Sequence, residues 1–144
     1  MKEIVNALNQ LLSSYQIYYQ NLRGFHWNIQ GRDFFSLHAK FEEYYNGTAE
    51  VIDEVAERIK ILESTPYHTF ADYIENSKIK SAANVVNGIE AVKLTLEANE
   101  VILSQLRDLL SLASEASDEG TVGMISELIG NHEKTVWMLK SFLK

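Results

Sequence analysis

Residues 4–29 read IVNALNQLLSSYQIYYQNLRGFHWNI. Within this stretch Ile4, Leu8, Leu11, Tyr15, Tyr18, Leu22, Phe25 and Ile29 recur at alternating spacings of four and three. That period lines one side of a helix, whereas a strand alternates faces every second residue. The stretch therefore predicts a long amphipathic helix with an a/d stripe sustained over more than three heptads. Val5, Leu12, Tyr19 and His26 run beside the stripe at intervals of seven, which sets His26 on the edge of the buried face.

Outward from this helix the pattern repeats. Gln30-Gly31-Arg32-Asp33 reads as a tight connection, with Asp33 a candidate N-cap. Phe34, Leu37, Phe41, Tyr44, Thr48, Val51, Val55, Ile59 and Leu62 predict a second helix ending near Leu62, before Ser64-Thr65-Pro66. A short helix is expected around Thr69 to Glu75. Ser81 is expected to cap a third long helix through Ala82, Val85, Ile89, Val92, Leu96, Leu103, Leu106 and Leu110. Ser117 is expected to cap a fourth, with Asp118 and Glu119 in its first turn and Ile125, Leu128, Val136, Leu139 and Leu143 on its apolar side. Four such helices predict an all-α four-helix bundle, residues 1–144 forming one domain, with the long crossover and its short helix between helices two and three.

Composition is consistent with that reading and narrows the chemistry. The chain has 144 residues, 46% hydrophobic and 23% charged, with one proline and seven glycines. There is no cysteine, so any metal must be held by His and carboxylates. The net charge of −7 disfavours binding to DNA phosphates or anionic membranes. No apolar run approaches a membrane span, and the N-terminus enters the helical pattern without a signal-peptide core, so a cytoplasmic protein is expected.

The residues that carry chemistry are His26, His38, Glu42, Asp53 and Glu57. On helix two, His38 and Glu42 are four apart, as are Asp53 and Glu57, so each pair shares a face. With His38 at zero, Glu42 lies near ~40°, Asp53 near ~60° and Glu57 near ~100°, away from the core stripe. Tyr45, Ala49 and Ala56 lie on the same side, and the alanines let another helix approach. His38 and Glu57 are separated by about 28 Å of helix rise, too far for one ion within one chain. Both cross-pairs, His38 with Glu57 and Glu42 with Asp53, have residue numbers adding to 95. Two copies packed antiparallel about a twofold axis crossing near Gly47 and Thr48 therefore bring each pair opposite its complement, making two identical sites. His26, as far before the connecting turn as His38 is after it, joins His38 and Glu42. Such a nitrogen and oxygen set suits Fe(II), Mn(II) or Zn(II). Taken singly, each pair has an ordinary explanation as solvated surface, and His26 as a satisfied core histidine; the common sum brings the ligand reading level with these. The chain contains no Glu-x-x-His, which argues against a metal site inside one bundle.

Phe25-His26-Trp27-Asn28, Gly31, Phe34, Leu37-His38, Phe41-Glu42, Asp53-Glu54-Val55-Ala56-Glu57-Arg58, Thr65-Pro66 and Trp137-Met138-Leu139 together resemble the Dps family of mini-ferritins, over essentially the whole chain. The resemblance implies a ferritin-like bundle in a hollow dodecamer. It implies iron as the metal, oxidised from Fe(II) to Fe(III) at intersubunit ferroxidase centres, preferably by hydrogen peroxide, and stored as ferric oxide, protecting the cell from oxidative damage. It assigns His26, His38 and Glu42 to one subunit and Asp53 and Glu57 to its mate. Many relatives carry Asp where this chain has Glu42, which is one methylene longer. DNA-compacting relatives use a basic terminal tail; here Lys2, Lys140 and Lys144 are isolated, so DNA binding is not expected. Glu115, Asp118, Glu119 and Glu127 are candidate pore residues, with a solvated helix start as the alternative. Trp27 is a candidate radical or electron relay, with interface packing as the alternative, and Tyr45 carries the same pair of readings. His68 and His132 are expected to be structural. A different class of function, a DNA-organising or structural oligomer with a vestigial or zinc-type site, predicts salt-sensitive DNA retention or zinc-dependent melting without turnover.

Overall fold

A computed structural model describes all 144 residues. The helices are α1 (Lys2–Asn28), α2 (Phe34–Ile61), α3 (Phe70–Asn76), α4 (Gly88–Glu115) and α5 (Glu119–Phe142). Four of them are long; α3 lies in the crossover between α2 and α4. The α1–α2 and α4–α5 hairpins pack together chiefly through α1 against α4, and α3 lies on α1.

The stripe on α1 is the spine of the core. Ile4, Leu8, Leu11, Tyr15, Tyr18, Leu22, Phe25 and Ile29 are all buried. Leu37, Phe41, Val55 and Ile59 meet them from α2, Val92, Ile102, Leu106 and Leu109 from α4, and Ile125 and Leu128 from α5. The α1–α2 turn is tight because Gly31 takes φ +112°, a backbone conformation that a side chain would strain. Asp33 occupies the N-cap position of α2, but its side chain makes no capping bond.

Two helix starts differ from the sequence expectation. Ser81 caps nothing: α4 begins at Gly88, with the Asn87 side chain accepting from the Glu90 amide. Ala82 and Val85 belong to the crossover, which runs without a helix from Ser77 to Asn87. Its backbone is satisfied by α1 instead of by helical bonds. Lys78 N–H donates to Ser14 Oγ (2.9 Å), Ala82 N–H to Asn21 Oδ1 (3.0 Å), and Asn21 Nδ2 to the Lys80 carbonyl (2.9 Å). Further along, Gln30 N–H donates to the Val86 carbonyl at 2.8 Å. At the other start, Asp118 and not Ser117 caps α5. Ser117 instead ends α4 in the left-handed conformation, φ 54°, with its own N–H on the Ser114 carbonyl and that of Asp118 on the Ala113 carbonyl. Glu63, at φ 61°, closes α2 by the same 6→1 and 5→2 pattern.

Candidate metal centre

The end of α1 and the start of α2 meet at His26 and His38. The two imidazoles stack, with centroids 3.8 Å apart and planes 10° from parallel. Each ring bonds the other residue's backbone: His26 Nδ1 donates to the His38 carbonyl at 2.6 Å, and His38 Nδ1 donates to the His26 carbonyl at 2.7 Å. A carbonyl only accepts, so each Nδ1 carries its proton. A neutral ring then presents Nε2 as a free lone pair, the tautomer that a metal requires. Burial and packing hold the rings in place. His26 is buried and His38 half-buried, Phe34 stacks on His38 at 4.9 Å, and Tyr45 meets His26 edge-on at 5.3 Å.

Glu42, one turn beyond His38, brings Oε1 to 3.7 Å from His26 Nε2 and keeps an exposed carboxylate. The Tyr45 hydroxyl reaches the same oxygen at 3.5 Å. The structure thus brings His26 against both His38 and Glu42. Asp53 and Glu57 lie exposed farther along α2 with Glu50, Glu54 and Arg58 around an open acidic pocket. A hydrogen bond that protonated Glu57 donates to Asp53, then the Asp53 charge, raises the Glu57 carboxyl above its ordinary range. Such a pair is relieved by a proton or by a cation. Within one chain no three His, Asp or Glu side chains stand in position to hold an ion together.

Trp27 is exposed beside this centre, with the Arg23 guanidinium over its ring at 4.9 Å and over the Tyr19 ring at 5.3 Å. His68 is exposed, bonding only the Pro66 carbonyl two residues away. His132 is half-buried and bridges Tyr15 and Asn99. Among the four acidic residues near the start of α5, Asp118 is committed elsewhere. Its carboxylate pairs with Arg58 of α2 at 2.7 Å and bonds Thr121. Burial raises the Asp118 carboxyl, but the Thr121 hydroxyl and amide and the Arg58 charge outweigh it and hold the group below its ordinary value. Gly120 makes this possible, since a Cβ there would lie 2.6 Å from the Arg58 guanidinium. Sequence reading missed the Arg58–Asp118 tie, because its partners are 60 residues apart and no spacing links them.

The surroundings of the centre match known proteins throughout the chain. A family model for the ferritin-like domain matches residues 5–144. General stress protein 20U of Bacillus subtilis is 36% identical over 142 residues, covering 99% of this chain and 98% of that protein. The DNA protection during starvation protein of Porphyromonas gingivalis is 39% identical over 139 residues, covering 96% of this chain and 87% of the relative. Among solved structures, a Dps protein from Vibrio cholerae O1, described as a member of a broad superfamily of ferritin-like diiron-carboxylate proteins, superposes with a TM-score of 0.98 at 45% identity. The match covers 99% of this chain and 90% of that one. The chain belongs to the ferritin-like family, as a Dps-type mini-ferritin.

Proposed function

We propose that this protein is a ferroxidase and iron store, oxidising Fe(II) with hydrogen peroxide at sites that two copies of the chain build together. The observation that carries the reading is the reciprocal His26–His38 arrangement. It spends each Nδ1 proton on backbone and leaves His26 Nε2 facing the Glu42 carboxylate. Histidines serving only to fill the core have no need of a free Nε2 facing a carboxylate.

In this reading His26, His38 and Glu42 of one chain meet Asp53 and Glu57 of its mate. Glu42 ligates directly in this reading. The carboxylates favour Fe(III) over Fe(II), since the higher charge gains more from anionic oxygen. Iron and peroxide are both substrates. Two Fe(II) each give one electron to hydrogen peroxide, the O–O bond breaks, and two hydroxides form without release of hydroxyl radical. Trp27, exposed beside the centre, serves as a short-range relay for stray oxidising equivalents. Ferric product collects within a hollow homo-oligomer, a dodecamer by family resemblance, in the cytoplasm. Zinc and manganese are competitors for the same donors. Protection of DNA follows from removing iron and peroxide and needs no DNA contact, in keeping with the net charge of −7.

The test is anaerobic Fe(II) loading followed by a peroxide pulse, reading ferric absorbance and the iron that coelutes with protein on a sizing column. Rapid oxidation, with iron retained in a large particle, is expected. Replacing His38→Ala and Asp53→Asn together is expected to slow oxidation to the buffer rate. Undiminished oxidation in that double variant sinks the proposal.

A further inference from the structure

A polar cluster lies inside the bundle, away from the metal centre. Tyr15 OH is 2.8 Å from His132 Nε2, His132 Nδ1 is 2.7 Å from Asn99 Oδ1, and Asn99 Nδ2 is 2.9 Å from Tyr18 OH and 2.8 Å from the Thr95 carbonyl. Its proton positions follow from one end. The Thr95 carbonyl only accepts, so the Asn99 amide nitrogen must face it and Asn99 Oδ1 must face the histidine. That oxygen only accepts, so His132 Nδ1 donates. In the neutral ring Nε2 then accepts, and the Tyr15 hydroxyl donates to it.

Tyr15 is therefore a phenol with a positioned base at its proton. It is buried at 1% exposure, and burial pushes its hydroxyl above the ordinary phenol range, so it does not ionise on its own. Burial also pushes His132 down to about 4, so the ring is neutral and can accept a proton near pH 7. Beside the cluster a cleft of about 260 Å³ separates α2 from α5, lined in part by His132, Asn131, Glu43 and Tyr44. The cleft lets solvent approach His132 and screen a charge on it. An aromatic path approaches from the metal centre: Tyr45 is edge-on to His26 at 5.3 Å and to Tyr19 at 6.0 Å, and Tyr19 lies one turn from Tyr15 on α1.

We propose that Tyr15 is a redox-active tyrosine, oxidised by one electron with transfer of its hydroxyl proton to His132. A phenol radical cation is a far stronger acid than a phenol, and the low-dielectric core penalises it unless the proton leaves. Tyr15 loses its O–H bond, the electron goes to the oxidant and the proton to His132 Nε2, leaving a neutral tyrosyl radical and an imidazolium. With hydroxyl radical from Fe(II) and peroxide as oxidant, the electron yields hydroxide. That source rests on the ferroxidase reading above; the Tyr15–His132 chemistry does not. The pair gives oxidising equivalents that escape the metal centre a contained resting place.

The experiment uses the metal-free oligomer and a photogenerated ruthenium(III) polypyridyl oxidant, following tyrosyl radical by transient absorption and by EPR of frozen samples. A long-lived radical is expected in the parent protein, with an exchangeable proton coupled to the phenoxyl oxygen that disappears in D2O. Tyr15→Phe is expected to abolish the long-lived signal. His132→Gln keeps a hydrogen-bond acceptor but no base, and is expected to slow formation about 100-fold, the scale of a lost positioned base. A purely structural cluster predicts no such effect. A long-lived radical unchanged in Tyr15→Phe, formation at the parent rate in His132→Gln, or no exchangeable coupling in the parent protein overturns the proposal, and the parent measurement stands if a variant fails to fold. Because no iron is present, either outcome leaves the ferroxidase test independent.

Discussion

At the scale of single residues, the local backbone decides more than the side-chain inventory suggests. Ser117 reads in the sequence as a helix cap because a hydroxyl often accepts from a first-turn amide. The chain instead needs a left-handed residue there to close α4, and Asp118 takes over the cap. A non-glycine residue in that conformation carries about 1–2 kcal/mol of strain, part of which glycine gives back through unfolded-state entropy. Ser117→Gly is therefore expected to stabilise the chain by about 0.5–1 kcal/mol, measured by urea denaturation; destabilisation would contradict the assigned role. The meeting of His26 and His38 was legible because equal distance from a tight turn implies equal height. Their exchange of backbone hydrogen bonds was not, since carbonyl directions follow from the helix ends and carry no residue signature. The sequence offered only a structural role for His132, because its partners Tyr15 and Asn99 lie on other helices and leave no spacing to detect.

Elements join through a few specific ties as well as through the apolar stripes. The long helices were readable because α1, α2, α4 and α5 each bury a 3.6-period face. The start of α4 was not, because the amides of the segment from Ser77 to Asn87 find their partners on α1, and a sequence window sees only its own neighbours. The Arg58–Asp118 pair is the tie between α2 and the start of α5, with side chains 18% and 7% exposed. Removing the guanidinium leaves a shielded carboxylate without its counter-charge, so Arg58→Ala is expected to cost about 2–3 kcal/mol. Gly120→Ala displaces the same guanidinium and is expected to act in the same direction. Equilibrium unfolding of both variants checks this; no loss in Arg58→Ala would show the pair to be energetically idle.

For the whole molecule, two partly buried groups shape the response to acid. His132 is neutral when folded, with its pKa lowered from 6.5 to about 4, so the unfolded chain binds the extra proton first. Its share of stability is present above pH 6.5 and is lost as pH falls toward 4. Asp118 works lower: its contribution is present above its ordinary 3.8 and is lost as pH falls through its depressed value. Melting temperature is expected to decline in these two stages, and His132→Gln to remove the upper one. A second prediction tests whether two chains share the centre. Mixed assemblies of a His38→Ala chain with an Asp53→Asn chain leave, in each mixed dimer, one centre with both defects and one with none. Neither variant alone is expected to oxidise iron quickly, whereas the mixture is expected to recover about half of parent activity per mixed dimer. No recovery on mixing would count against a centre shared between two chains. The meeting of His26 and His38 was legible because a hairpin fixes it; the proposed completion by a second copy rests on a numerical symmetry of α2 alone.

The crossover seated on Asn9, Ser14 and Asn21 of α1 also has a temporal consequence. Asn9 Oδ1 takes the Tyr67 amide at 2.8 Å, and Ser14 and Asn21 take those of Lys78 and Ala82, each across about sixty residues of chain. Within each hairpin, contacts are comparatively local and form early, whereas these bonds must await closure of a long loop. Latching of the crossover is thus a late event in folding and an early one in opening. Amide hydrogens of Tyr67, Lys78 and Ala82 should exchange with solvent together, ahead of the α1 core, as one cooperative unit that loosens while the four long helices stay closed.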